Sequence, residues 1–204
     1  FKPVTRFWDR IVKPEQLLKS LPQALAVMLD PAECGPAFLA LPQDVQAEAY
    51  DYPAMFFESQ VHFIRRPQAD PREISHAASV INAAKKPLII SGGGVLYSEA
   101  APTLGDFAAK RNIPIVETFA GKAAFADSHP NYAGSLGIAG DACSNAVAED
   151  ADVVIAVGTK LQDFTTGSWA LFKDPNLKIV TINTARWDAT KQHATSVMAD
   201  ARVS

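Results

Sequence analysis

The sequence predicts an α/β fold in three layers, with helices on both faces of a parallel sheet. Three observations carry that prediction. Runs rich in Val and Ile recur at Pro87–Ser91, Ile113–Glu117, Asp152–Val157 and Lys178–Asn183. They are nearly continuous where a half-exposed strand would alternate, which marks strands buried on both faces. Stretches with helical spacing separate them, and glycines close the first and third runs, at Gly92-Gly93-Gly94 and Gly158.

Composition sets the outer bounds. With 204 residues, the prior is one domain or one domain plus a piece of another. Nineteen basic against 22 acidic side chains leave a net charge of −3. That balance supplies no basic stripe for nucleic acid and disfavours an anionic membrane surface. No apolar run approaches the roughly 20 residues that span a bilayer. Cys34 and Cys143 stand alone, so neither a disulfide framework nor a zinc cluster is encoded, and a cytoplasmic setting is expected. The chain opens on Phe1 rather than Met without a signal-peptide pattern, and reads as a fragment.

The first 50 residues fall outside the repeating pattern. Pro14 to Leu29 reads as an amphipathic helix broken or kinked near Pro22, and Gly35–Pro42 as one buried strand. One helix and one strand cannot enclose a core, so this segment reads as a piece of a neighbouring domain. Between Ala47 and Ala69 the chain turns to Tyr, Pro, Phe and charged residues, a linker in character. Asp70-Pro71-Arg72-Glu73 then places an N-cap, a proline at the first helical position and an acid at the third. Ile74, Ala77, Ala78, Ile81 and Ala84 supply an apolar stripe for the helix that follows. After the first strand, Ser98 is the expected cap of a second helix with Leu104, Phe107 and Ala108 facing inward. That helix ends near Asn112 because Pro114 disfavours helical conformation before it. Phe119 to Ser144 reads as one long loop, Asn145 to Glu149 as a short helix, and Ser196–Asp200 as a last strand.

Candidate chemistry sits where strands end. Glycines between a buried strand and a helix are where open α/β sheets meet phosphates, but Tyr97 stands where a full G-x-G-x-x-G motif needs its last glycine. Glu117, 23 residues after Gly94, occupies the place of a ribose-binding acid or is a solvated strand end. Gly158 and Lys160 form a second turn that either frames the same crevice or is a packing turn with a surface lysine. His62, His76, His129 and His193 show no metal-ligand spacing. There is no serine-nucleophile elbow and no triphosphate-binding loop.

Three stretches together carry a resemblance: Lys86–Gly94, Phe107–Thr118 and Ala151–Gly158. In order and combined, they resemble the Rossmann-like central domain of thiamine-diphosphate-dependent enzymes of the acetolactate synthase type, over about residues 70 to 204. Pro3–Arg6 and Gly35–Val45 resemble the end of that family's pyrimidine-binding domain, an αβα domain. The resemblance implies residues 1–49 from the pyrimidine domain, a 50–69 linker, and a central domain at 70–204 trimmed at its carboxyl end. Leu41–Pro53 and Leu161–Trp169 are most similar to a branch that opens a cyclic diketone by cleaving a carbon–carbon bond with water.

The same resemblance implies thiamine diphosphate held by magnesium in the full-length enzyme, by residues outside this chain, since no G-D-G motif occurs here. It implies no catalytic residue and no metal ligand in these 204 residues, with the remaining domains and a homo-oligomer as partners. Flavin-binding relatives use the glycines, a threonine after the second strand and arginines after the third. Gly92, Gly93, Gly94 and Thr118 match, but Lys160 and Phe164 stand where arginines are expected, so FAD binding is not expected. The crevice is a nucleotide-type site only at the level of these six residues: Gly92, Gly93, Gly94, Thr118, Gly158 and Lys160. An acetolactate synthase-like carboligase and a free-standing nucleotide-binding module are the competing readings.

Overall fold

A computed structural model describes residues 1–204, which form two units, Phe1–Arg65 and Arg66–Ser204. The first holds β1 (Phe7–Arg10), α1 (Leu17–Met28), β2 (Ala37–Ala40) and the single turn α2 (Gln43–Gln46). β1 and β2 pair in parallel, Phe7 opposite Ala37 and Arg10 opposite Ala40, with α1 as their crossover. Sequence reasoning found only β2, because Phe-Trp-Asp-Arg offers no apolar run. Ile11, Pro14, Ser20 and Ala24 are buried beneath this βαβ unit. The Asp9 carboxylate accepts from Ser20 Oγ and Gln16 Nε2, and the Ser20 hydroxyl does most to hold its pKa below the ordinary value.

Two expectations change here. α1 runs unbroken through Pro22, which costs it the one ladder bond that an N–H there would have made to Leu18 O. The segment read as a linker is partly built into this unit. Tyr52 stacks on Phe56 at 4.9 Å and meets Tyr50 edge-on at 4.8 Å, and its hydroxyl donates to Pro14 O.

The second unit is the three-layer domain. Its elements are α3 (Pro71–Asn82), β3 (Pro87–Ser91), α4 (Gly93–Tyr97), α5 (Ala101–Arg111), β4 (Ile115–Glu117) and β5 (Tyr132–Ser135). They continue with α6 (Ala142–Glu149), β6 (Val153–Val157), α7 (Asp163–Thr166), β7 (Lys178–Asn183), α8 (Arg186–Ala189) and β8 (Thr195–Met198). All six strands are parallel in the order β5-β4-β3-β6-β7-β8. The chain starts in the middle, winds outward one way, then crosses back and winds the other way. This is a doubly wound sheet, and its winding reverses between β3 and β6.

Strand alternation builds the two outer layers. Ile89, Ile115, Ile155, Val157, Val180 and Val197 meet Ala77 of α3 and Ala108 of α5 on one face. Leu88, Ile90, Val116, Val154 and Ala156 meet Ala148 of α6, Leu161 and Leu171 on the other. Burying each of these branched side chains contributes on the order of 2 kcal/mol.

The caps explain the helix limits. Asp70 accepts the Arg72 amide at 2.8 Å with Pro71 at the first helical position, as the sequence indicates. The inward stripe is rotated from the expected one: Ile74 and Ala78 are exposed, while Ala77, Val80, Ile81 and Ala84 pack inward. The cause is Glu73, which turns inward so that its carboxylate accepts the Met198 amide of β8 at 2.9 Å. Ser98 does not cap a second helix. It ends α4, donating to Val95 O, and α5 begins separately after Ala100. Asn112 closes α5 in the left-handed region at φ 52°. The long loop from Phe119 to Ser144 contains β5, which pairs with β4 at the sheet edge.

Candidate functional site

The reversal point between β3 and β6 is the place where an open α/β sheet offers a crevice at its carboxyl edge. β3 delivers Gly92, Gly93 and Gly94 there, β4 delivers Thr118, and β6 delivers Gly158 and Lys160. The structure brings the first five together and leaves the Lys160 side chain exposed, its carbonyl accepting Lys191 Nζ at 2.9 Å.

The glycines pack backbone on backbone. Gly92 N–H donates to Val157 O and Gly94 N–H to Gly158 O, both at 2.9 Å. Gly158 sits at φ +59°, and a Cβ at Gly94 would stand 2.6 Å from its Cα. A Cβ at Gly92 would strike Gly158 O. These positions need glycine because two turns of main chain touch with no room for a side chain. The seam continues toward β4, where Thr118 N–H donates to Ser91 O and Thr118 Oγ1 accepts from Gly121 N–H.

Two of the three amides in the glycine run are therefore spent inside the protein rather than aimed at an anion. α4 is a five-residue helix, and its first turn is pinned against Gly158. Beside them the wholly buried Ser91 hydroxyl ends β3 without a hydrogen-bond partner.

Glu117 matches neither of its sequence readings. Its side chain is fully buried, and its carboxylate accepts from Phe125 N–H at 2.9 Å, Ala123 N–H at 3.3 Å and the Tyr132 hydroxyl at 3.1 Å. Lys122 Nζ donates to the same hydroxyl at 3.1 Å and lies 4.0 Å from the carboxylate. The bond to Tyr132 is the main reason that the Lys122 ammonium titrates above its ordinary value. Glu117 thus folds the segment between β4 and β5 around itself, with no oxygen offered to a ribose.

Around this edge the strand ends present large apolar side chains to water. Tyr97 follows β3, Phe119 β4, Ile138 β5, Phe164 β6 and Trp187 β7, and each is more than half exposed. Sequence reasoning missed these exposures, since each residue is isolated along the chain. The histidines stay apart from the seam chemistry; His129, for instance, packs edge-on against Phe125 and accepts the Asn131 amide. Cys34 and Cys143 are free and exposed. No three His, Cys, Asp or Glu side chains converge as a metal site, and no helix is long and apolar enough to cross a membrane.

Comparison with known proteins agrees with this geometry. Residues 74–204 match the family described as thiamine pyrophosphate enzyme, central domain. The chain is 50% identical over 203 residues, all of its length, to a 3D-(3,5/4)-trihydroxycyclohexane-1,2-dione hydrolase of Clostridium perfringens, of which it covers 32%. A protein of the same name from Halalkalibacterium halodurans is 47% identical over 201 residues, 98% of this chain and 32% of the relative. The one from Bacillus licheniformis is 45% identical over 203 residues, again 32% of the relative. Among solved structures, a thiamin diphosphate-dependent enzyme from Mycobacterium smegmatis superposes with a TM-score of 0.76 at 24% identity. The match covers 99% of this chain and 38% of that one. The chain thus spans about a third of the length of the curated relatives it matches.

Proposed function

The chain belongs to the thiamine pyrophosphate enzyme family, with residues 74–204 as its central domain, and from that premise we propose that it serves a ring-opening hydrolase. The substrate is 3D-(3,5/4)-trihydroxycyclohexane-1,2-dione, a cyclic diketone whose carbon–carbon bond is cleaved by water, as inositol breakdown requires. One observation carries this reading: identity of 45–50% extends across 98–100% of the chain to relatives that bear that name. It covers both units of the chain, including the segments 41–53 and 161–169 where the branch-specific likeness lies.

In this reading, residues 1–49 are the end of a pyrimidine-binding domain, 50–69 connect, and 70–204 are central scaffold within a cytoplasmic homo-oligomer. Thiamine diphosphate, with magnesium, does not fit the residues present here. The sequence has no G-D-G motif, and no carboxylate cluster converges to hold a cation. The chemistry therefore rests on the rest of the enzyme, and the role of this chain is orientation. FAD is not expected either, because Gly92 and Gly94 spend their amides on Val157 and Gly158, and Lys160 and Phe164 replace the arginines that would grip a diphosphate bidentately. The crevice at Gly92, Gly93, Gly94, Thr118, Gly158 and Lys160 is then a packing seam kept from a nucleotide-binding design.

The test is to assay the full-length enzyme for opening of the diketone ring and, separately, for acetolactate from pyruvate. Ring opening supports the proposal; acetolactate formation without ring opening overturns it in favour of a carboligase. Titrating the 204-residue chain with FAD checks the seam, where saturable quenching of flavin fluorescence at micromolar concentration would show a working flavin site.

A further inference from the structure

We infer that α4 is a coupling strut, joining the glycine seam at one end to a clasp of four charged side chains at the other. Displacing either end of this helix then loosens the other. The inference stands on this chain's own contacts and is independent of the reaction proposed above.

At the amino end of the strut there is no slack. Gly94 N–H bonds Gly158 O, and their backbones touch where a Cβ at Gly94 would lie 2.6 Å from Gly158 Cα. No flexible side chain lies between them to absorb a shift. Five helical residues at about 1.5 Å each carry the chain only ~7.5 Å to the other end. There Ser98 N–H donates to Gly94 O at 3.0 Å, so that both ends share one residue of backbone.

At the carboxyl end, four charges close on the helix. Arg66 Nη1 donates to Ser98 O at 2.6 Å and to Asp200 Oδ2 at 3.1 Å. Arg66 Nη2 lies 3.4 Å from Glu99 Oε2, which also takes Arg202 Nη1 at 2.6 Å. Asp200 N–H donates to Pro67 O at 2.9 Å, and Asp200 Oδ1 accepts the Arg202 amide at 2.9 Å. The Asp200 side chain is only 7% exposed and that of Arg66 24%, so the central pair is shielded from solvent. Glu99 is held at φ 56°, a backbone region that a non-glycine residue keeps only when its surroundings over-determine it. Arg66 and Asp200 lie 134 positions apart, so the clasp joins two distant stretches of this unit, and it grips α4.

A strut makes a reciprocal prediction that local packing alone does not, because coupling between two ends must be equal in both directions. Amide exchange is followed by NMR in the full 204-residue chain, in Gly94→Ala and in Asp200→Asn. Gly94→Ala, whose added methyl meets the Gly158 backbone, is expected to speed exchange of the Asp200 and Arg202 amides about tenfold, within the usual range of coupling. Asp200→Asn is expected to speed the Gly92 and Gly94 amides, which bond Val157 O and Gly158 O at the seam, by a similar factor. The amides of α6, on the far face, should stay within about twofold in both variants, since local opening differs from global unfolding. Glu99→Gln alters an exposed side chain and is the milder variant if Asp200→Asn does not fold; a faster Gly94 amide at the seam is expected there as well. The proposal fails if Gly94→Ala leaves Asp200 and Arg202 unchanged, if Asp200→Asn (or Glu99→Gln in its place) leaves its stated amides unchanged, or if α6 accelerates as much as the clasp.

Discussion

The two edges of the six-stranded sheet solve opposite problems. At the amino edge the strands start from polar staples. The Asp152 carboxylate accepts the Lys85 and Lys86 amides at 2.7 and 2.9 Å, Lys86 Nζ pairs with Asp150 at 2.6 Å, and Arg111 donates to Asn82. Burial alone would raise the Asp152 carboxyl, but those two amides outweigh it and hold its pKa below the ordinary value. At the carboxyl edge, main chain meets main chain at Gly92, Gly94 and Gly158, Ala123 and Leu161 adopt positive φ, and five large apolar side chains face water. The contrast shows where the protein accepts cost. The amino edge is finished by side-chain hydrogen bonds, whereas the carboxyl edge concentrates close main-chain contacts and several exposed apolar side chains.

Breaking the seam should therefore cost most. Gly158→Ala imposes a left-handed alanine and a backbone clash together, and urea unfolding should show a loss of roughly 4 kcal/mol. A loss below about 1 kcal/mol would mean that the turns separate easily. Next comes Glu117→Ala, which strands the buried Phe125 amide, the partly buried Ala123 amide and the Tyr132 hydroxyl at about 3 kcal/mol by the same measurement, with Glu117→Gln recovering part of it. On the amino edge, Asp152→Ala leaves two partly solvated amides unpaired and should cost about 1 kcal/mol. If it equals Gly158→Ala, the asymmetry between the edges is lost.

The exposed apolar side chains should be thermodynamically silent. Phe119→Ser and Phe164→Ser are expected to shift stability by no more than about 0.5 kcal/mol, as exposed positions do. The smallest effect concerns the entrance to α3. The hydrogen bond from the Arg72 side chain, and then the Arg72 amide, hold the Asp70 carboxyl at about 2 against an ordinary 3.8. A lowered folded-state value means that the cap's contribution is complete above pH 3.8 and is lost as pH falls through about 2. The Arg72 amide resonance, followed in an acid titration, should move in that window and stay flat above it.

Much of this fold was legible along the chain, for identifiable reasons. β3, β6 and β7 are buried on both faces, so their apolar runs needed no partner to be recognised. Asp70-Pro71 and Asn112 act through local backbone chemistry, and both helix limits followed. What escaped depends on contacts distant in sequence. Tyr-Ala-Gly-Ser makes an edge strand only because β4 lies beside it. The stripe of α3 rotates because Glu73 reaches a β8 amide 125 positions away. Glu117 gives no local sign that a later stretch of chain will wrap its carboxylate. At the candidate site, the glycines and Thr118 were found by type and placement, but that their amides face inward could be read only from the opposing turn.

The contact between Arg66 and Asp200 has a consequence for the order in which this unit assembles. The two residues lie 134 positions apart in the chain, so their pairing closes a long loop whose entropy is recovered only after the sheet has brought them near. The clasp therefore forms late, and weakening it speeds unfolding more than it slows folding.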